Sequence, residues 1–144
     1  MEKPKPLTRA AFPHFHEIST RWIDNDVYGH INNVVYYSFF DTVVNRYLMD
    51  NGALDFRNGK VVGLVVETGC SYFKPVSYPD RVTGGLSVER LGNSSVRYRC
   101  AIFRNDDDDA AAQGHFVHVY VDKASNKPVP LPAELKKALA PLVR

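Results

Sequence analysis

The chain has 144 residues, 44% of them hydrophobic and 24% charged, with a net charge of +2. That is the size and apolar share of one ordinary domain with a packed core. The near-neutral balance argues against a dedicated nucleic-acid binder, which carries a basic face or stripe. Two cysteines, Cys70 and Cys100, with no CxxC pair argue against a disulfide framework and fit a reducing, cytoplasmic setting.

The N-terminal "MEKPKPLTRA" has charges and prolines but no apolar core of a secretory signal. Residues 1–10 read as a flexible arm of a single domain spanning 1–144. No apolar run is long enough to span a bilayer, so no membrane partner is expected. From Phe12 to Ile23 the pattern is compatible with a strand. Asp24 to Asn33 is crowded with Asp, Asn and Gly and reads as a loop.

Tyr36, Phe40, Val43, Val44 and Tyr47 then follow helical spacing, with Ser38, Asp41 and Asn45 as the polar side. Phe39 and Tyr37 widen the apolar stripe, which predicts a helix covered on most of its circumference. Asn32 or Asn33 supplies an N-cap, and Gly52 in "MDNG" supplies a left-handed C-terminal stop. Beyond it the period changes to two. Residues 60–75 are apolar on both faces at first, as in a strand buried on both sides or held at a subunit contact.

"RVTGGLSVERL" places Val82, Leu86 and Val88 on one face. "VRYRCAIFR" places Val96, Tyr98, Cys100 and Ile102 on one face and arginines on the other. "GHFVHVYVD" is a further run. The breaks "SYPD", "LGNSS" and "NDDDDAAAQ" predict hairpin links, hence a meander of four strands. Asp106 to Asp109 read as a solvated loop tip, and the tail from Pro132 as a short helix. The layout is α+β: one antiparallel sheet with one main helix on its face. A single sheet covers such a helix poorly, which predicts self-association.

The loop and its sequel carry a resemblance. "D-x-D-x-x-G-H-x-N-N-x-x-Y", here Asp24, Asp26, Gly29, His30, Asn32, Asn33 and Tyr36, stands directly before the long helix. It resembles the hotdog-fold acyl-CoA thioesterases of the 4-hydroxybenzoyl-CoA thioesterase family. "ETGCSYFKPVSYPDRV" and "VYVDKASNKPVPLP" look like that family's later elements. The resemblance runs from about His16 to Pro132.

It implies an antiparallel sheet wrapped around one long central helix. Two subunits join their sheets, and active sites lie at the interface of a homodimer or homotetramer. The substrate is an acyl-CoA, hydrolysed to free acid and CoA with no metal or redox cofactor. Many relatives from the Tol-Pal gene cluster carry a tyrosine and a histidine where this chain has Trp22 and Asn33. The "GHxNN" form also occurs in acyl-ACP thioesterases, so the carrier stays open. A non-enzymatic acyl-CoA-binding module is the rival class.

Aligned on Gly29, the catalytic carboxylate of the family falls on Asp26 and its oxyanion donor on the backbone N–H of Asn33. Thioester hydrolysis needs a nucleophile or base together with a donor for the developing oxyanion, and Asp26 suits either of the first two roles. Asp24 is the rival carboxylate, read as ordering the loop. Gly29, His30, Asn32 and Tyr36 are candidate substrate-binding residues. Gly29 would permit a turn or a close approach, His30 would brace the loop or act as base, Asn32 would cap the helix, and Tyr36 would lie at its first turn. Lys74, Arg97, Arg99 and Arg104 are candidates for the coenzyme A phosphates. Cys70 and Cys100 read as buried apolar residues. His14, His16, His115 and His118 lack further ligands at convincing spacing, so no metal site is expected.

Overall fold

The computed structural model describes residues 4–144. Five strands form one antiparallel sheet in the order β1-β3-β4-β5-β2. They are β1 His14–Ile18, β2 Val61–Tyr72, β3 Val82–Leu91, β4 Ser95–Arg104 and β5 Ala112–Asp122. One main helix, α1 Val35–Asp50, lies between β1 and β2 in sequence, and a short one, α2 Ala133–Leu139, closes the chain. No described helix is long and apolar enough to cross a membrane.

The alternation expected from the sequence sets the inner face. Val82, Leu86 and Val88 of β3 and Val96, Tyr98, Cys100 and Ile102 of β4 are buried. Against them α1 buries Tyr36, Phe39, Phe40, Val43, Val44, Tyr47 and Leu48. Each such fully buried side chain contributes roughly 1.5–3 kcal/mol. Gly84 of β3 lets the helix come this close, because a Cβ there would collide with Val43 Cγ2. The C-terminal stop is as expected. Gly52 has φ +60, and the N–H groups of Gly52 and Ala53 return to the carbonyls of Met49 and Leu48.

Several expectations change. The first strand ends at Ile18, and a single tight turn at Trp22–Asp24 replaces its second half. The polar side of the helix is wider than Ser38, Asp41 and Asn45: Thr42, Arg46 and Met49 are exposed with Ser38 and Asp41. The meander holds only for β3, β4 and β5. β2 pairs with β5 instead of β3, so residues 73–81 cross the sheet and do not turn back. As a result β2 is an edge strand, and Leu64, Val65 and Val66 are 44%, 48% and 60% exposed. The acidic run is the exposed loop tip expected, and within it Asp106 pairs with Arg81 while Asp107 pairs with both Lys74 and Arg104.

Within the stretch expected to be an arm, residues 5–9 are tied to the sheet. The Leu7 N–H donates to Gln113 Oε1 at 2.7 Å, and the Arg9 guanidinium donates to the carbonyls of Asn105 and Asp107. Phe12, Ala101, Phe103 and Ala110 make a small second core there, on the sheet's outer face. Residues 1–3 lie outside the described part.

Candidate active site

The loop before α1 is a closed turn built on Asp26. Its N–H donates to the His30 carbonyl at 2.8 Å, and its carbonyl accepts from the Gly29 N–H at 3.0 Å. Gly29 sits at φ +77, a backbone region that a side chain would disfavour, and this closes the turn. Asp26 Oδ1 accepts the Tyr28 N–H at 2.9 Å. Oδ2 has no protein partner among the described residues. Bracing by His30 therefore runs through its backbone, and its imidazole is exposed.

Asp24 is occupied. It is 3% exposed, and its carboxylate accepts the N–H of Arg21 at 2.9 Å and the Arg21 guanidinium at 2.9 Å. Its carbonyl also accepts the Asn32 N–H at 2.9 Å. A carboxylate spent on ordering its own turn leaves Asp26 as the accessible one.

The helix entry is also well defined. Asn32 Oδ1 accepts the Val34 N–H at 3.2 Å, and the Asn32 carbonyl accepts the Val35 N–H at 2.9 Å. Asn32 thus braces the turn that leads into α1; the N-cap position is Val34, with no side-chain cap bond, and not Asn32 or Asn33 as expected. The next peptide N–H, that of Asn33, has no acceptor among the described residues. It lies two residues before Val35, the first residue of α1, near the positive end of the helix dipole. Tyr72, at the end of β2, donates its hydroxyl to the Asn33 carbonyl at 2.7 Å and so fixes the plane of the neighbouring peptide.

The crossover after β2 clasps this loop from outside. The Val76 carbonyl accepts the Ile31 N–H at 2.7 Å, and Ser77 Oγ donates to the Gly29 carbonyl at 2.8 Å. The Tyr78 N–H donates to Asn25 Oδ1 at 3.1 Å.

A cavity of about 320 Å³ opens between loop, helix start and crossover, and Asp26, His30, Asn33, Tyr36, Tyr72 and Lys74 line it. Gly29 flanks it in an adjoining depression that also contains Asp26. Tyr36 is 3% exposed, and burial pushes its hydroxyl up to about 12. It is a neutral wall with one edge on the cavity. Cys70 is two residues before Tyr72, and burial pushes its thiol up to about 11, so no thiolate nucleophile is on hand.

The basic candidates divide. Lys74 lies at the cavity, its ammonium 3.0 Å from Asp107, and Arg104 donates to the Pro75 carbonyl at 2.8 Å. Arg97 and Arg99 project from the sheet's outer face, where they pair with Glu67 and Glu89. The structure does not bring them to the other candidates. Among the described residues no three His, Cys, Asp or Glu side chains are grouped to hold a metal.

A loop carboxylate, a free helix-start N–H and an apolar wall share one cavity, and the sequence matches the family described as the thioesterase-like superfamily over residues 19–139. The chain belongs to this family. Membership places it among the thioester hydrolases. Among solved structures, it is similar to the PA5185 protein from Pseudomonas aeruginosa strain PAO1, with 54% identity, a TM-score of 0.94 and 97% of each chain covered. It is also similar to a thioesterase from Thermus thermophilus that was crystallised with coenzyme A and Zn. That likeness has 28% identity and a TM-score of 0.76, covering 92% of this chain and 95% of the other. The protein YsmA of Bacillus subtilis (strain 168) is 25% identical over 139 residues, 96% of this chain and 93% of that protein.

The sequence does not mark Tyr72 and the crossover as neighbours of the loop. Nothing in the local spacing of "CSYFKP" says that its tyrosine reaches the start of a helix almost forty residues earlier.

Proposed function

We propose that this thioesterase hydrolyses an acyl-CoA to the free acid and CoA in the cavity at the start of α1. The observation that carries this reading is the pairing of an accessible carboxylate, Asp26, with the unpartnered N–H of Asn33 on one cavity. The thioester carbonyl oxygen would sit on that N–H, which holds it as it becomes an oxyanion. Asp26 Oδ2 would attack the carbonyl carbon or take a proton from an attacking water. The Tyr28 N–H on Oδ1 fixes the carboxylate plane for either step.

His30 and Asn32 serve by position, one in the loop closure and one in the turn that enters the helix. Gly29 keeps the approach open. Lys74 lines the cavity and Arg104 bonds the carbonyl of Pro75 on its wall, and the two supply positive charge for the CoA phosphates. The coenzyme A bound in the Thermus thermophilus relative supports a CoA carrier.

Two copies paired along β2 would complete the site. The strand is twelve residues long, it lies at the sheet edge, and its apolar middle is exposed. A long apolar edge left open is an aggregation site, whereas pairing with its own copy satisfies the ladder.

Asp26→Asn tests the reading. The swap keeps size and removes the charge that either mechanism needs. Thiol release from an acyl-CoA panel should fall by more than ~10³-fold in a folded variant. Near-normal turnover in folded Asp26→Asn would sink the assignment.

A further inference from the structure

The acidic hairpin between β4 and β5 reaches the wall of the active-site cavity, and one of its carboxylates sits where the chemistry above gives it no part. Asp107 Oδ2 accepts from the Lys74 ammonium at 3.0 Å and from both Nε and Nη2 of Arg104 at 3.1 Å. Two cations thus converge on a single oxygen. Lys74 lines the cavity, and Arg104 Nη1 donates to the Pro75 carbonyl on its wall at 2.8 Å.

The carboxylate is held from behind. The Asp107 N–H donates to the Arg104 carbonyl at 3.0 Å, and the Asp107 carbonyl accepts the Arg9 guanidinium at 2.9 Å. The side chain therefore turns on a fixed backbone. The hydrogen bond from Lys74 chiefly, with Arg104 adding, holds its carboxyl below the usual carboxylate range, so it is ionised wherever the enzyme works. Lys74, Arg104 and Asp107 are all partly exposed, and a dissolved anion can reach them.

Ion pairs this open contribute little to stability. They do set what a second anion meets. A phosphate offers more oxygens and more charge than a carboxylate and binds Lys and Arg more strongly. It can displace Asp107 from both cations, but it gains only the difference. Coenzyme A is part of the substrate and is also the product. A contact with its phosphates holds acyl-CoA, transition state and free CoA alike, so tighter capture is repeated as slower release.

We propose that Asp107 is a built-in competitor for the CoA phosphates: it aligns Lys74 and Arg104 on the point a phosphate oxygen takes, gives way to acyl-CoA, and takes the cations back as CoA leaves. The proposal rests on the thioesterase reading and on Lys74 and Arg104 as the phosphate ligands.

Asp106 provides the control. It is next in the same loop, carries the same charge, and pairs with Arg81 at 2.8 Å instead. Neither Asp106 nor Arg81 lines the cavity. Asp107→Asn and Asp106→Asn each keep side-chain size and remove one charge. Two quantities are measured for each protein. One is the inhibition constant of free CoA. The other is the ratio of kcat/KM for an acyl-CoA to kcat/KM for the same acyl group on N-acetylcysteamine, a thioester without phosphates. In Asp107→Asn the constant should fall and the ratio rise, each by about tenfold, since two ion pairs worth a few-fold each are no longer broken. Asp106→Asn should move neither by more than about twofold, because a charge held elsewhere is screened by salt. A merely structural role for Asp107 would lower the thermal midpoint and leave both quantities where they are.

A constant or a ratio that stays at the wild-type value, moves the other way, or moves as far in Asp106→Asn overturns the proposal. If the wild type hydrolyses neither thioester, the thioesterase reading fails instead, and titration calorimetry with free CoA decides. Tighter binding by Asp107→Asn alone supports the competitor, and equal, weaker or absent binding overturns it.

Discussion

Replacing Asn33 tests a peptide group more than a side chain. Asn33→Ala keeps the backbone N–H, while Asn33→Pro removes it. That N–H has no acceptor among the described residues and Asn33 precedes α1, so proline breaks no helix bond and the variant should fold. Loss of one oxyanion donor costs roughly 10²–10³ in turnover. The proline variant should show that loss and the alanine variant a much smaller one, with circular dichroism confirming both folds. Equal turnover in the two would remove the Asn33 amide from the mechanism.

His118 gives a second expectation at this scale. Burial among Tyr98, Phe116 and Tyr120 pushes its pKa down from 6.5 to about 4, with Asp41 opposing. Between those values the unfolded chain holds more protons than the folded one. Its neutral form therefore supports stability fully above about pH 6.5, and that support is lost as pH falls towards 4. By pH ~5 the loss is about 2 kcal/mol. Urea midpoints should fall between pH ~7 and ~5 in the wild type and fall less in His118→Phe. Parallel declines would show that other groups govern the acid limb.

At the scale of elements, the alternation of a strand decides what its side chains can reach. Arg97 and Arg99 stand on the outer face of β4, where the carboxylates of Glu67 and Glu89 hold them. Lys74 follows β2 and stands at the cavity. Lys74→Ala should raise KM for an acyl-CoA by about tenfold with little change in kcat, because a contact to the CoA phosphates holds ground state and transition state alike. Arg97→Ala and Arg99→Ala should leave KM where it is. A rise in KM from either arginine variant, with none from Lys74→Ala, would place the nucleotide on the outer face. The sequence carried the inner face of β3 and β4, the apolar stripe of α1 and its stop at Gly52, because each is a periodic or single-residue signal. It also carried the loop carboxylate, through a motif. It did not carry the crossing of residues 73–81. "SYPD" is turn-forming in either topology, and which strand β2 joins depends on a partner fifty residues away. Tyr72 was hidden for the same reason: its partner is the Asn33 carbonyl, and no local pattern marks it.

For the whole molecule, the exposed middle of β2 is the feature with the largest reach. Val65 lies on the inner face of the strand and is 48% exposed. Lysine there puts a charge into an apolar edge, a common natural block to edge pairing. Val65→Lys should turn a dimer into a monomer by light scattering and lower turnover, while circular dichroism stays unchanged. A variant that remains dimeric would move the contact elsewhere. The clasp formed by the crossover has a consequence of another kind. The Ile31 N–H, the Gly29 carbonyl, the Asn25 side chain and the Asn33 carbonyl are all held by residues 72–78, through bonds outside the sheet ladder. Ile31 and Val76 of this clasp are also part of the main core, and the N–H groups of Phe73 and Lys74 donate to the Ala111 carbonyl. The site therefore opens only with the core beneath it, and loss of activity and loss of structure should coincide in a denaturant titration.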